Sequence, residues 1–550
     1  MKIIKFFYKY NWKFSILFVI ASIFQGLLNA SIIAYLNSIL TNLRDDNYTN
    51  SLTRNNEILV YSILMVISII LGRQLPIATT KYTREMIHKI RMRIIKRLKD
   101  IEYRSFEKIG EEHIYTILIN DTLRISYGAQ NFLRLFSSIV TIIACLGYLY
   151  WLFPLGLLIT IITIFAGLGL YFFRQKNITK DLTEARQLQA TFFGQIKDFM
   201  NGFKDFKLSE KKKNDIYNNY IFESSNQSKN LMIKSMIKYI DNGMMESFFL
   251  YGLLGVIIFY FPPFFNDDFG QVYAFLIIVV YMLGPISVIV NSIPFMATMN
   301  ISIKEISRLE MDIMSIAREE INQKNDKIET KISFETIELC NIYFRYGEEG
   351  NDDFSIGPIN IKIDRGSINL IFGENGGGKT TFIKILTGLY RPVKGIIRVN
   401  GKVLDYRNHQ RYRELFGAIY SDFHLFKNLY GLESVSSNKL DELLIKMKIK
   451  EKVSIENKKL STINLSSGQK KRLALMLAIL EDRDVLILDE WAAEQDPMFK
   501  RIFYMEIIPE LRGMGKTLVL ISHDEQYYNC ADKIFEINNG ILSEKSTKKI

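Results

Sequence analysis

Residues 373–381 read Gly373-Glu-Asn-Gly-Gly-Gly378-Lys379-Thr380-Thr381. The apolar run Ile368–Phe372 before them predicts a strand, and Phe382–Leu386 after them predicts a helix. Strand, glycine-rich turn and helix in that order build a phosphate cradle. The glycines let backbone N–H groups approach phosphate oxygens, and the helix N-terminus adds a favourable dipole. In this reading Gly373, Asn375, Gly376, Gly378 and Thr381 belong to the cradle, Lys379 reaches the β- and γ-phosphates, and the Thr380 hydroxyl ligates Mg²⁺. A glycine turn in an unrelated α/β domain can match the bare pattern. A strand and a helix on the correct sides favour the nucleotide.

Further along, Val485-Leu-Ile-Leu488-Asp489-Glu490 is an apolar run closed by two carboxylates. A buried parallel strand reads this way, and the carboxyl end of such a strand is where an α/β sheet binds ligand. Asp489 suits a place around the Mg²⁺, and Glu490 is placed to polarise an attacking water. Another strand-like run, Thr517–Ser522, leads to His523. An ordinary exposed histidine would look the same, but beside a phosphate loop His523 reads as a γ-phosphate sensor. Leu465-Ser466-Ser467-Gly468-Gln469 precedes a helix expected near Lys470. Ser466 suits its N-cap, and the free N–H groups beyond offer a second phosphate site; by itself this is a capped helix.

The other half of the chain is of a different kind. A length of 550 residues exceeds what one hydrophobic core supports, so at least two domains are expected. Hydrophobic residues reach 48% beside 23% charge, because long apolar runs fill the first 300 positions. Six runs, near 14–40, 58–80, 130–152, 155–173, 244–264 and 272–295, have the roughly 20 residues that a membrane helix needs. The first is too long for a signal-peptide core and reads as a retained helix. Connections 41–57 and 265–271 are short and carry Asp45, Asp46, Asp267 and Asp268; connections 81–129 and 174–243 are long and rich in Lys and Arg. Positive charge stays inside, so both termini are expected in the cytoplasm. The net charge of +12 follows largely from these connections, and the six spans argue against nucleic acid as the partner. Three cysteines without ligand spacing suggest neither a metal cluster nor a disulfide framework.

Ile87, Ile90, Ile94, Leu98 and Ile101 recur at helical spacing, so the membrane helices are expected to continue into the cytoplasm. Their turning points, near Tyr103–Gly110 and Gly202–Phe206, are candidates for docking on the soluble domain, since Phe106, Phe203 and Phe206 want cover. The expected domains are 1–300 in the membrane, a helical connector over 301–331, and an α/β domain over 332–550.

Phosphate loop, Leu-Ser-Ser-Gly-Gln, Asp-Glu strand and His523 stand in the order found in ATP-binding cassette (ABC) transporters, and the whole chain resembles the half-size exporters of that family. The resemblance implies a membrane all-α domain of six transmembrane helices plus an α/β P-loop NTPase domain that hydrolyses ATP with Mg²⁺. It implies that Tyr346, in Tyr343-Phe-Arg-Tyr346-Gly347, stacks on adenine. It implies that Ser466, Gly468 and Gln469 meet the ATP of a second copy of the chain, making a homodimer, and that Asp496 lies in the loop crossing between the two. A glutamine usual to the family is replaced by Ser421, which can still hold the metal through a water, with Asp422 beside it. After Glu490 the usual Pro-Thr-Ser is Trp491-Ala492-Ala493.

These departures resemble the bacterial branch of cyclic-peptide and siderophore-precursor exporters. The implied role is export of such a peptide-like substrate across the bacterial cytoplasmic membrane, in contact with membrane lipid and with the ATPase domain in the cytoplasm. A lipid or drug flippase using the same machinery is the alternative. Asn29, Arg73, Arg134, Glu246 and Asn291, in or near the membrane helices, either line a cavity or pair between helices.

Overall fold

Hydrophobicity decides the first architectural element: among the described residues, six helices are long and apolar enough to cross a membrane. A computed structural model describes residues 12–42, 51–265, 269–321, 333–347, 354–405, 409–432 and 434–545. Asp45, Asp46, Asp267, Asp268 and connector residues 322–331 lie outside these. The chain divides into two compact units, Met1–Ile95 with Glu112–Glu310, and Lys96–Glu111 with Met311–Ile550.

The first unit is helical. Its long helices are α1 (Trp12–Asn42), α2 (Ser51–Leu98), α4 (Thr122–Leu152), α5 (Pro154–Asn201), α6 (Glu223–Tyr260) and α7 (Phe269–Ile321). Pro154 starts α5 at a position where its missing N–H costs nothing, so α4 and α5 form the expected hairpin around Phe153. The apolar run predicted to reach 264 leaves the α-helix at Tyr260, because Pro262 and Pro263 shape a 3-10 turn. Ile87, Ile90 and Ile94 are buried, as their spacing required. Leu59, Ile69, Phe165, Phe173, Phe248 and Phe259 turn outward, more than half exposed. Apolar faces of that extent suit lipid rather than water. Asn29 accepts hydrogen bonds from Gln25 and from Ser68 of α2, each at 3.0 Å. Asn291 of α7 accepts from Tyr239 of α6 at 3.1 Å. These two asparagines therefore pair between helices; Arg73 and Arg134 are exposed, and the Glu246 side chain lies outside the described ones. The helical connector expected from 301 continues α7 directly as far as Ile321, with no glycine or proline at 300/301 to interrupt it.

The second unit takes in the short helix α3 (Tyr103–Ile109) and the α/β domain. Strands β1 (Thr336–Arg345), β2 (Ser355–Asp364), β4 (Lys394–Val399) and β5 (Lys402–Val403) form a four-stranded antiparallel sheet ordered β2-β1-β4-β5. Strands β7 (Ile455–Glu456) and β8 (Lys459–Leu460) form a small antiparallel pair of their own. A six-stranded sheet contains β3 (Ile368–Phe372), β6 (Phe416–Ile419), β9 (Val485–Asp489), β10 (Thr517–Ile521), β11 (Lys533–Asn538) and β12 (Ile541–Lys545), ordered β12-β11-β3-β10-β9-β6. Only β12 runs antiparallel. Every residue of β9 and β10 is buried, which is why both sequences are continuously apolar instead of alternating. Register aligns the carboxyl ends: Ile521 lies beside both Ile371 and Asp489. The residues following β3, β9 and β10 thus emerge at one edge of the sheet.

Candidate functional site

That edge gathers the residues picked out by motif. Gly373 begins the loop after β3, and a Cβ there would stand 2.0 Å from the Ile537 carbonyl oxygen. Gly378, at φ 105°, turns the chain into helix α8 (Lys379–Leu386). The loop is therefore written in glycine because its backbone path admits little else. Lys379 folds inward, 7% exposed, and its ammonium donates to the Gly373 carbonyl at 2.7 Å. It also lies 3.0 Å from His523 Nε2 and 3.5 Å from Glu490 Oε1. His523 Nε2 is 3.6 Å from the same Glu490 oxygen. Lysine from the start of α8, glutamate following β9 and histidine following β10 form one cluster.

Thr380 donates to Asp489 at 3.3 Å. Asp489 is buried, and its pKa is raised, first by that burial and next by the charge of Glu490. The Ser421 backbone N–H donates to the same carboxylate. Thr380 through its hydroxyl and Ser421 through its backbone thus both reach the Asp489 carboxylate, and a hydroxyl with a buried carboxylate is a hard-oxygen donor set that fits Mg²⁺.

Tyr346 places its hydroxyl 2.9 Å from Thr381 Oγ1, and its ring meets Tyr390 edge-on at 5.8 Å. Tyr346 as a whole stays 44% exposed, so part of it is accessible for stacking beside the cradle. Ser466 caps helix α9 (Ser467–Leu480), which starts three residues before the expected Lys470 because Ser466 and Gln469 close a capping box. The box is worth about 1 kcal/mol. Gly468 approaches the Glu494 carbonyl so closely that a Cβ would lie 2.8 Å from it. Asp496 caps a short helix and pairs with Arg472 at 2.5 Å.

Some residues around the site gave no sequence signal. Lys471 is buried and donates to the Glu490 carbonyl at 2.8 Å. Trp491 Nε1 donates to the Lys471 carbonyl at 2.7 Å. Only the replacement of Pro-Thr-Ser by Trp491-Ala492-Ala493 hinted at it. Helix α3 is equally involved with its own unit. Glu107 accepts from Lys384 of α8 at 3.0 Å and from Tyr390 at 2.6 Å. Arg104 donates to the Arg345 and Tyr346 carbonyls at 3.0 and 2.8 Å, and its guanidinium covers the Phe344 ring at 4.9 Å. Glu102 pairs with Arg391. The predicted docking at Tyr103–Gly110 is thus present, carried by Tyr103 stacked on Tyr390 at 6.2 Å and by charge, while Phe106 is only half-buried.

Comparison with known proteins points the same way. A family profile described as ABC transporter matches residues 356–493. The ATP-binding protein SyrD of Pseudomonas syringae pv. syringae is 29% identical over 462 residues, which is 82% of each chain. The energy-coupling factor transporter ATP-binding protein EcfA1 of Thermotoga maritima is 30% identical over 217 residues, covering 38% of this chain and 80% of that one. Among solved structures, a bacterial Atm1-family ABC exporter with ATP bound superposes with a TM-score of 0.74, covering 96% of this chain and 94% of the other at 16% identity. The fold is therefore that of a half-exporter, a six-helix membrane part and an ATPase part in one chain.

Proposed function

Because this chain belongs to the ABC transporter family, we propose that it acts as a homodimer exporting a cyclic or modified peptide, or a siderophore precursor, across the bacterial cytoplasmic membrane. The observation that carries the reading is the meeting of Lys379, Glu490 and His523 beside the glycine loop, in a chain with six membrane-capable helices. In this role Gly373, Asn375, Gly376, Gly378, Thr380 and Thr381 cradle the phosphates and Tyr346 stacks on adenine. Lys379 stabilises charge developing on the transferred phosphoryl group. Glu490 orients the attacking water, and His523 donates to the γ-phosphate. Thr380 and Asp489, with Ser421, would hold Mg²⁺, which would offset the negative charge of the phosphates when bound.

Ser466, Gly468 and Gln469 of one copy face the ATP cradled by the other, so both ATP molecules fasten the two cassettes together. Closure moves the helix ends and turns the cavity outward; hydrolysis resets it. Both termini and the ATPase domain are cytoplasmic, following the Lys- and Arg-rich long connections.

The test is ATPase activity of the purified protein in lipid discs, against cyclic peptides, siderophore precursors and lipids, with Glu490→Gln as the blank. A peptide that raises the rate above the lipid baseline supports the reading. Stimulation by lipids alone replaces it with a flippase, and a Glu490→Gln rate equal to the parent's removes Glu490 from the chemistry.

A further inference from the structure

Glu490 sits on an unfavourable backbone. Its φ is 48°, a left-handed conformation that an L side chain keeps only when its surroundings impose it. Three bonds engage this turn. The Glu490 N–H donates to the Ile521 carbonyl at 3.1 Å, and its carbonyl accepts from the Ala493 N–H at 3.3 Å. The shortest of the three comes from a side chain, Lys471 Nζ, at 2.8 Å.

Lys471 is 4% exposed, on the second turn of α9. Its ammonium also pairs with Glu494 at 3.2 Å. Glu494 in turn accepts from the Ser467 hydroxyl. Trp491, next after Glu490, returns a hydrogen bond from Nε1 to the Lys471 carbonyl, while its ring stacks on Phe503 at 4.3 Å. Side chain and main chain of one residue are therefore each tied to the turn that aims Glu490. A polar chain runs from Ser467 through Glu494 and Lys471 to the Glu490 carbonyl. Burying a cation is a costly way to fill space, and an apolar residue would pack there at less cost. What the ammonium supplies that a hydrocarbon cannot is a directed bond to a carbonyl.

We infer that Lys471 is a positioning residue for hydrolysis: it holds the left-handed turn, and so the direction of the Glu490 carboxylate, from the end of α9 that begins at Ser467. The inference rests on the reading of Glu490 as the carboxylate that orients water. It assigns Lys471 no contact with ATP.

The experiment is steady-state ATPase of the full-length protein in lipid discs across ATP concentration, with binding of a fluorescent ATP analogue measured in parallel. Lys471→Met keeps the length of the side chain and removes the charge. Trp491→Phe keeps an aromatic ring for Phe503 and removes the N–H together with part of the buried indole. Glu494, exposed to water on one side, remains hydrated in both. For Lys471→Met, kcat falls about 10- to 100-fold, the size expected when a reacting group is displaced by a fraction of an ångström to an ångström. KM and analogue affinity stay at the parent values, because the cradle is untouched. Trp491→Phe lowers kcat less, again with KM unchanged, and decides the matter if Lys471→Met does not fold. Parent kcat in both variants overturns the inference, as does a kcat loss that appears only with an equal loss of analogue binding. A Glu490→Gln control as active as the parent would instead remove the reading of Glu490 on which it rests.

Discussion

Lys379 spends its ammonium on a loop carbonyl, a histidine and a glutamate, with little of it open to water. A group so placed is aimed before its ligand arrives, which is where electrostatic stabilisation is strongest. Lys379→Met should therefore lower kcat/KM for ATP by about 100-fold or more, read from initial rates. Tyr346 is different: part of it is exposed, and its hydroxyl is engaged elsewhere by Thr381. Tyr346→Ala should raise KM for ATP with kcat little changed, by about 5- to 150-fold if one stacked base is worth about 1–3 kcal/mol. Tyr346→Phe should keep most of the affinity, and equal losses in both variants would sink the stacking role. Residues of this kind were legible in the sequence because their chemistry is local: a glycine loop, two carboxylates after a strand, a serine before a helix. Lys471 was not legible, since a lysine among Gln469-Lys470-Lys471-Arg472 looks like surface charge until the fold buries it.

Strands and spans were legible for the same reason at the next scale, through apolar runs of the right length. The junctions were not. Helix α7 continues through the expected boundary at 300, and α3 belongs with the ATPase part although it stands between membrane helices in the sequence. What fixes α3 there is tertiary. Burial works against the Glu107 carboxylate, yet hydrogen bonds from Tyr390 and Lys384 outweigh it and lower its pKa. Burial likewise works against the Lys384 cation, and Glu107 more than restores it, raising its pKa. A lowered acid contributes stability above its unfolded value of about 4.3 and loses it as pH falls through the folded value; a raised base contributes below about 10.4 and loses it as pH rises through the folded value. Docking of α3 should therefore be independent of pH across the neutral range. Glu107→Gln keeps size but removes the charge. Its expected effect is on coupling: ATP hydrolysis without substrate persists, while stimulation by a transported substrate drops. Unchanged stimulation, measured in discs, would show that this ion pair carries no signal between substrate and ATP.

The whole molecule is where sequence and a single chain say least by themselves, because the proposed ATP site is shared between two copies. In that proposal Lys379 supplies one half of a site and Ser466 the other half, so the arrangement is testable by complementation. Lys379→Met disables a phosphate loop. Ser466→Glu, at an exposed N-cap, sets a negative charge against the phosphates at the start of α9, where a carboxylate is favourable for the helix. Two differently tagged copies are co-expressed, and only mixed dimers are purified through both tags. If one copy carries Lys379→Met and the other Ser466→Glu, both lesions fall on the same shared site and the second site is intact. If one copy carries both lesions and its partner none, each shared site has one lesion and no intact site remains. The first mixture should keep ATP turnover from one site, and the second should fall to the level of Glu490→Gln. Sites built within a single chain demand the reverse order, since the doubly changed copy would then leave its partner whole. The ranking of the two mixtures thus decides between a shared and a private ATP site without any structure of the dimer.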